Sequence, residues 1–287
     1  MYHLLLLLLN TWFLFVIVPP SPPKVFDVHL HASEDPQQQL AALSAAGVYK
    51  AAFSSSWESQ REYRNLSGPQ LLHGLMFPCP NGKVPYSLQP CFKDGSKWPS
   101  PAWVESEIRA GNIRFLGEVL AQYEGIAPSD SLFDPYYALA VRYNLPVGIH
   151  MGGAGPGHGC PDFKMELGNP ADLENLLRKF PSLRLWIMHG GDQFYVEAIQ
   201  VMRLHPQVFA DISVLCNPDI VPAQRFETIL KAFLDAGLED RLMFGSDNGN
   251  IVKTIQAVTG SRLLSEDQKQ KILYRNAERF FAVSDKL

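Results

Sequence analysis

The sequence predicts a single (β/α)8 barrel that follows a short apolar leader, and three observations support this fold class. Eight short apolar or β-branched runs alternate with segments of helical periodicity over about 260 residues. The 287-residue chain is 46% hydrophobic and 19% charged, so it has enough apolar side chains for a sizeable core. Residues 27–34, at the end of the first run, contain no glycine, which argues against the G-x-G-x-x-G turn of an open dinucleotide-binding sheet.

Residues 1–24 form the predicted leader and a proline spacer. The apolar stretch Leu4–Val18 has the length of a signal-peptide core and is short for a membrane span of roughly 20 residues. No lysine or arginine precedes it and no small-x-small cleavage site follows it, so the alternatives are a helix that caps the domain or an incorrectly assigned start. A signal peptide or anchor would make the protein periplasmic, extracellular or membrane-anchored, whereas a structural helix would leave it in the cytoplasm. Membrane contact is expected only through this segment.

Residues 25–287 form the predicted barrel domain, without internal repeats or a change of composition that would mark a second domain. The strand candidates are 25–31, 49–55, 71–77, 113–119, 146–152, 183–190, 208–214 and 241–247. The helix candidates are 36–46, 58–65, 101–110, 129–143, 170–180, 193–204, 222–236 and 265–283. The last helix begins with Ser265 and Gln268 at capping-box spacing. The net charge of −4 lacks the basic footprint of a nucleic-acid-binding protein, so a small-molecule substrate is expected and a homo-oligomer stays open.

Five residues that commonly bind metals fall at the carboxyl ends of predicted strands, where barrel enzymes place their catalytic groups. His29 and His31 end the first strand as His-x-His, a spacing that puts both imidazoles on one face. His150, His189 and Asp247 end the fifth, sixth and eighth strands. Four neutral imidazoles and a carboxylate suit Zn²⁺ best, with Mn²⁺, Fe²⁺ or Co²⁺ as alternatives. One such histidine alone would more often be a core or loop residue, but the set indicates a metal site.

The order His-x-His, His, His, Asp resembles the amidohydrolase superfamily, and within it the amidohydrolase-related (type 2) branch. Three further stretches are similar to that branch, and the resemblance spans residues 25–283. They are Asn169–Arg184, Met188–Gly191 and Tyr274–Phe280.

The resemblance implies a ligand set. His29, His31 and Asp247 would bind one metal, His150 would be a further ligand, and His189 would be a ligand or polarise a substrate carbonyl. Many relatives hold a second metal through a carboxylated lysine in strand 4, but this strand has no lysine and carries Glu118. Glu118 would then be a ligand or bridge, or else a carboxylate bonded to Arg114 or to a histidine. One or two metal ions therefore stay open.

The resemblance implies a metal-dependent hydrolase that uses a metal-activated water to cleave an ester, lactone or amide. Asp247 would take the proton of the water and deliver it to the leaving group, and His189 would polarise the carbonyl. A non-oxidative decarboxylase on the same barrel is the alternative, because the ligands alone do not separate the two reactions. A barrel that only binds a ligand is disfavoured by the intact ligand set.

Substrate contacts are expected from the loops that follow the strands. Met151–Gly168 is long and Gly-rich, carries His158, and is the best lid candidate. The further substrate-binding candidates are Trp57, Tyr123 and Asn248. The loop 78–99 is predicted to be an insertion over the barrel mouth. Its Cys79 and Cys91 would pair if the protein is exported, and the alternative is that all cysteines are free thiols.

Overall fold

The computed structural model describes residues 22–87 and 89–282. Nearly all of the predicted leader, residues 1–21, therefore lies outside the described residues. Among the described helices, none combines the length and apolar character that a membrane crossing requires.

Eight parallel strands follow one another around a single barrel, which confirms the predicted fold class. They are β1 (Val25–Leu30), β2 (Val48–Phe53), β3 (Gln70–Phe77), β4 (Phe115–Val119), β5 (Pro146–Ile149), β6 (Arg184–Ile187), β7 (Phe209–Asp211) and β8 (Leu242–Met243). The first and last strands meet through the Val28 amide, which donates to the Phe244 carbonyl at 2.9 Å. The Asp27 carboxylate adds a second link, because its Oδ1 accepts from the Ser246 amide at 3.0 Å.

Helices on the outside of the barrel connect the strands, as predicted. They are α1 (Pro36–Ala45), α2 (Trp57–Tyr63), α3 (Pro101–Arg109), α4 (Asp134–Arg142), α5 (Leu173–Lys179), α6 (Tyr195–Leu204), α7 (Ala223–Asp235), α8 (Ile251–Thr259), α9 (Glu266–Gln270) and α10 (Asn276–Phe281).

The structure differs from the predicted helices in two places. The segment Ile251–Thr259 was not predicted as a helix because its β-branched residues favour a strand, yet Asn250 caps it by accepting from the Lys253 amide. The continuous helix expected over 265–283 is interrupted by a π-helical turn at Lys271–Arg275. Its predicted capping box is present, with Ser265 Oγ and Gln268 bonding each other's backbone amides.

Aromatic side chains plug the amino end of the barrel. Phe281 of α10 packs on Phe26, Phe115 and Trp186, with ring centroids 5.3–5.9 Å apart. A Cβ on Gly148 would lie 2.2 Å from the Trp186 ring, so a glycine in β5 makes room for that indole. Because these rings fill the barrel interior at this end, the interior opens at the carboxyl end, where the strands run into their loops.

Candidate metal centre

The structure brings the histidines and the carboxylates of the predicted ligand set together at the carboxyl end of the barrel. His29 is in β1, Glu118 is in β4, and the others follow the ends of their strands; the group is His29, His31, Glu118, His150, His189 and Asp247. Three overlapping triplets of this group offer ligand atoms within 4.8 Å of one another. The cluster therefore has the composition and spacing that could hold one or two cations.

His29 and His31 direct their Nε2 atoms at the same point. The Nδ1 of His31 lies 2.6 Å from the Ser54 carbonyl, which only accepts, so Nδ1 carries a proton and Nε2 of the neutral ring is bare. The Nδ1 of His29 lies 3.2 Å from Asp211 Oδ2, which assigns its proton in the same way. The two Nε2 atoms are 3.1 Å apart, and Asp247 Oδ1 lies 3.7 and 3.3 Å from them. Lone pairs this close repel one another unless a cation lies between them.

A second pair of bare nitrogens belongs to His150 and His189. The Nε2 of His150 donates to the Gly153 carbonyl at 3.0 Å, so Nδ1 of the neutral ring is bare. The Nδ1 of His189 donates to Ser213 Oγ at 2.9 Å, because that hydroxyl gives its own proton to Asp211 Oδ1 at 2.5 Å. His150 Nδ1 and His189 Nε2 are then 3.1 Å apart and repeat the arrangement of the first pair.

Glu118 lies between the two pairs of histidines. Its Oε1 is 2.5 Å from His150 Nδ1, and its Oε2 is 3.4 Å from His31 Nε2. The side chain is buried, and no ion pair joins it to Arg114 among the described residues. Burial raises the pKa of Glu118, but the imidazoles around it, His150 first, favour the carboxylate and hold the pKa well below its usual range. An ionised carboxylate in this place can bridge two cations.

Asp211 and Ser213 form hydrogen bonds with the histidines of the cluster, and the sequence analysis did not identify them. Asp211 is fully buried, and its Oδ1 accepts from the backbone amides of His189 and Ser213 at 2.9 and 3.0 Å. Its Oδ2 accepts from His29 Nδ1 and from the Trp186 indole, both at 3.2 Å. The sequence signal that could have identified Asp211 was a carboxylate at the end of the seventh strand. Hydrogen bonds of this kind fix the tautomer and orientation of metal-binding imidazoles.

Left-handed backbone turns position the two ligands nearest the loops. His189 has φ 58° and Asp247 has φ 47°, conformations that the surrounding bonds must hold in place. The Asp247 amide donates to the His29 carbonyl at 2.8 Å, which ties the eighth-strand ligand to the first-strand ligand. The amide side chain of Asn248 accepts from the His31 amide at 3.1 Å and donates to the Ala32 carbonyl. Asn248 therefore holds the His31 loop, and a substrate contact from it stays a prediction.

Tyr123, His158 and Phe163 form an aromatic layer beside the cluster, termed the roof. The Tyr123 hydroxyl lies 3.5 Å from His150 Nε2, and its ring packs edge-on against both His150 and His158. Tyr123 and His158 therefore lie near the place a substrate would occupy. Trp57 instead packs on Trp103 with ring centroids 4.9 Å apart, so its predicted substrate contact has no support from its packing.

Two loops meet above this roof. The loop 78–99 is closed by a Cys79–Cys91 disulfide, the first of the two alternatives that the sequence left open, while Cys160 and Cys216 are free and buried. The Tyr86 hydroxyl of this loop donates to the Gly155 carbonyl of the predicted lid at 3.2 Å. The predicted lid and the disulfide-bonded insertion therefore contact each other at the barrel mouth.

Comparisons with known proteins agree with the fold. A profile of the family described as amidohydrolase matches residues 98–283. An uncharacterized TIM-barrel protein from Bordetella bronchiseptica is similar over 91% of this chain and 99% of its own, with 17% identity and a TM-score of 0.65. A search of curated protein sequences gave no match.

Two further solved structures with this barrel carry different activities in their descriptions. A probable 2-pyrone-4,6-dicarboxylic acid hydrolase from Acinetobacter baumannii is 13% identical, with a TM-score of 0.60 over 90% of this chain and 99% of its own. A 5-carboxyvanillate decarboxylase from Novosphingobium aromaticivorans, complexed with manganese, is 15% identical, with a TM-score of 0.55 over 86% of this chain and 80% of its own. At such identities the likeness shows the fold and leaves the reaction open.

Proposed function

The chain belongs to the amidohydrolase family, and from that premise we propose that it is a metal-dependent hydrolase of an ester, lactone or amide. One observation carries the proposal. Two pairs of bare imidazole nitrogens face the two oxygens of Glu118, and the ionised Asp247 stands beside the first pair. This donor set suits a borderline divalent cation, with zinc the first expectation and manganese, bound by the Novosphingobium relative, the second.

Each residue then has a defined part in the reaction. A bound divalent cation would acidify a water molecule and polarise the substrate carbonyl. Burial raises the pKa of Asp247, but the neighbouring imidazoles of His29 and His31 favour the carboxylate and hold the pKa far below its usual range. Asp247 is therefore a carboxylate at neutral pH, and its side chain is 26% exposed, so it can accept a proton from an attacking water and pass it to a leaving group.

The surroundings of the cluster fit a small substrate with a flat or apolar part. Tyr123 and Phe163 pack together with ring centroids 5.2 Å apart, and His158 lies 4.9 Å from Phe163. Met76 and Leu120 are buried in the same apolar cluster. Such a roof excludes water from the reacting carbonyl and leaves recognition of polar groups to the few hydroxyls and imidazoles present.

Metal analysis and a divided substrate panel test the proposal. Purified protein, before and after loading with Zn²⁺ or Mn²⁺, is assayed for hydrolysis of lactones, esters and amides and for release of CO₂ from aromatic acids. We expect at least about one equivalent of metal and hydrolytic turnover. Release of CO₂ without hydrolysis would assign the decarboxylase reaction instead. Less than about a tenth of an equivalent after loading would contradict metal dependence.

A pair of aspartate variants tests the proton transfer. Asp247→Asn should lower kcat by about 10²–10⁴-fold, the usual contribution of general acid–base catalysis. Asp219→Asn is the matched control, because this exposed aspartate pairs with Lys253 at 2.7 Å outside the cluster. Retention of most activity by Asp247→Asn would contradict the assigned role.

We also propose that the protein is exported or membrane-anchored through residues 1–24. The Cys79–Cys91 disulfide supports this, because disulfides persist mainly in oxidising compartments. Cell fractionation with amino-terminal sequencing of the mature protein tests it. An uncleaved chain in the reducing cytoplasm with both thiols free would contradict the proposal.

A further inference from the structure

A second polar site lies at the amino end of the barrel, opposite the metal centre. A cavity of about 360 Å³ opens there between the start of β6, the residue before β8 and helix α10. Its walls include three arginines, Arg184, Arg241 and Arg279, and two aromatic rings, Phe209 and Phe280. None of these residues belongs to the metal cluster, so the proposed hydrolase reaction does not account for them.

The three arginines lack a counter-charge within the described part of the chain. No described carboxylate lies within 4.0 Å of any of their guanidinium groups, although other surface arginines have such partners. Their bonds go to backbone carbonyls instead: Arg184 donates to Asn144 at 2.8 Å, and Arg241 donates to His205 at 3.0 Å. Burial lowers the pKa of Arg241, and the positive charge of Arg279 lowers it further. The cavity therefore gathers positive charge that the described residues do not neutralise.

The guanidinium groups are held in place by the aromatic rings. Phe209 and Phe280 pack with centroids 4.7 Å apart. Arg184 lies over Phe280 at 5.5 Å, and Arg279 lies over Phe209 at 5.4 Å. Stacking on aromatic faces leaves the edges of a guanidinium, which carry the N–H donors, free to bind.

We propose that this cavity binds a doubly charged oxyanion, namely a phosphate group, either as free phosphate or as part of a phosphorylated small molecule. Arg241 and Arg279 both keep N–H groups beyond those bonded to carbonyls, because only Nη1 of the first and Nη2 of the second are so engaged. The planar fork of donors on an arginine matches the oxygens of phosphate in pairs. An anion would also relieve the repulsion between the neighbouring arginines.

Calorimetric titration with inorganic phosphate tests the site. The holoprotein is titrated in a chloride buffer of constant ionic strength and compared with the variants Arg279→Gln and Arg275→Gln. Arg275 is the matched control, because it is exposed on the same stretch of chain and pairs with Asp267 at 2.7 Å. We expect phosphate to bind the wild-type protein, Arg279→Gln to weaken it at least tenfold and Arg275→Gln to change it less than twofold.

Further measurements distinguish phosphate binding at the arginines from binding at the metal centre and from loss of the fold. Phosphate held by the metal centre instead would bind Arg279→Gln as tightly as wild type, and that outcome would overturn the proposal. Arg279→Lys keeps the charge without the fork and should bind at an intermediate level, whether or not Arg279→Gln is stable. Titrations with glucose 6-phosphate and with glucose distinguish the two sources of phosphate. Tighter binding of glucose 6-phosphate than of inorganic phosphate, without binding of glucose, would indicate a phosphorylated ligand. Absence of phosphate binding to the wild-type protein at about 10 mM phosphate would also overturn the proposal.

Discussion

The two ends of the barrel gather opposite kinds of polar group. At the carboxyl end, bare imidazole nitrogens and ionised carboxylates face one another at 2.5–3.9 Å. At the amino end, guanidinium groups line one cavity without a described carboxylate beside them. Each end collects groups that repel their own neighbours, and this costs folding free energy unless a ligand of the opposite polarity binds. At both ends an unbalanced set of polar groups is therefore the feature that calls for a ligand.

The largest expected effect comes from breaking the first pair of histidines at the carboxyl end. His29→Ala should lower kcat/KM by at least about 10³-fold, because it removes the Nε2 ligand that faces His31. His205→Ala is the control, since His205 pairs with Glu174 at 3.0 Å outside the cluster. Steady-state kinetics and metal analysis measure the effect, and circular dichroism checks the fold. Full metal content in His29→Ala would show that the ligand assignment is wrong.

The variant Glu118→Gln tests whether the protein binds one metal ion or two. A neutral amide in place of the bridging carboxylate should lower the metal content by about one equivalent and the activity by about 10²-fold. Glu174→Gln, a partly exposed glutamate on α5, is the matched control. Inductively coupled plasma mass spectrometry after gel filtration gives the stoichiometry. An unchanged stoichiometry with normal activity would leave Glu118 a supporting carboxylate.

Asp211→Asn tests the support beneath the cluster. Because Asp211 orients His29 directly and His189 through Ser213, losing its charge should weaken metal affinity about 10–100-fold while leaving every ligand in place. Competition with a fluorescent chelator measures the affinity. Asp235→Asn, on the exposed face of α7, is the control and should leave affinity unchanged.

The smallest effect concerns a histidine in the barrel wall between the two ends. Burial, together with the nearby charge of Arg64, lowers the pKa of His73 to about 4. The unfolded chain binds a proton near pH 6.5 while the folded chain does not, so stability falls as the pH drops from about 6.5 towards 4. His73→Gln should remove about 1 kcal/mol of this loss between pH 7.5 and 5, after allowance for partial exposure. Urea unfolding of the chelated proteins measures the difference, and parallel pH curves would contradict it.

The barrel and its metal cluster could be predicted from sequence because both depend on local order. Apolar runs set the strands, and a ligand at a strand end must face the same rim as every other such ligand. The supporting Asp211 gave a weaker signal, because its role depends on the tautomers of residues far away in the chain. The amino-end arginines gave no signal of a shared site, since Arg184 and Arg279 lie in two separate family-like stretches and meet Arg241 only when the barrel closes. Helix α8 was missed because tertiary packing overrides β-branched propensity.

The seam between the first and last strands makes the metal centre a product of the completed chain. Asp27 bonds Ser246 across 219 residues, and His29 meets Asp247 beside that bond. A growing chain that has not yet reached β8 holds His29 and His31 but lacks the carboxylate that completes their site. Complete cation coordination therefore requires closure of the barrel, because the last ligand arrives with the eighth strand.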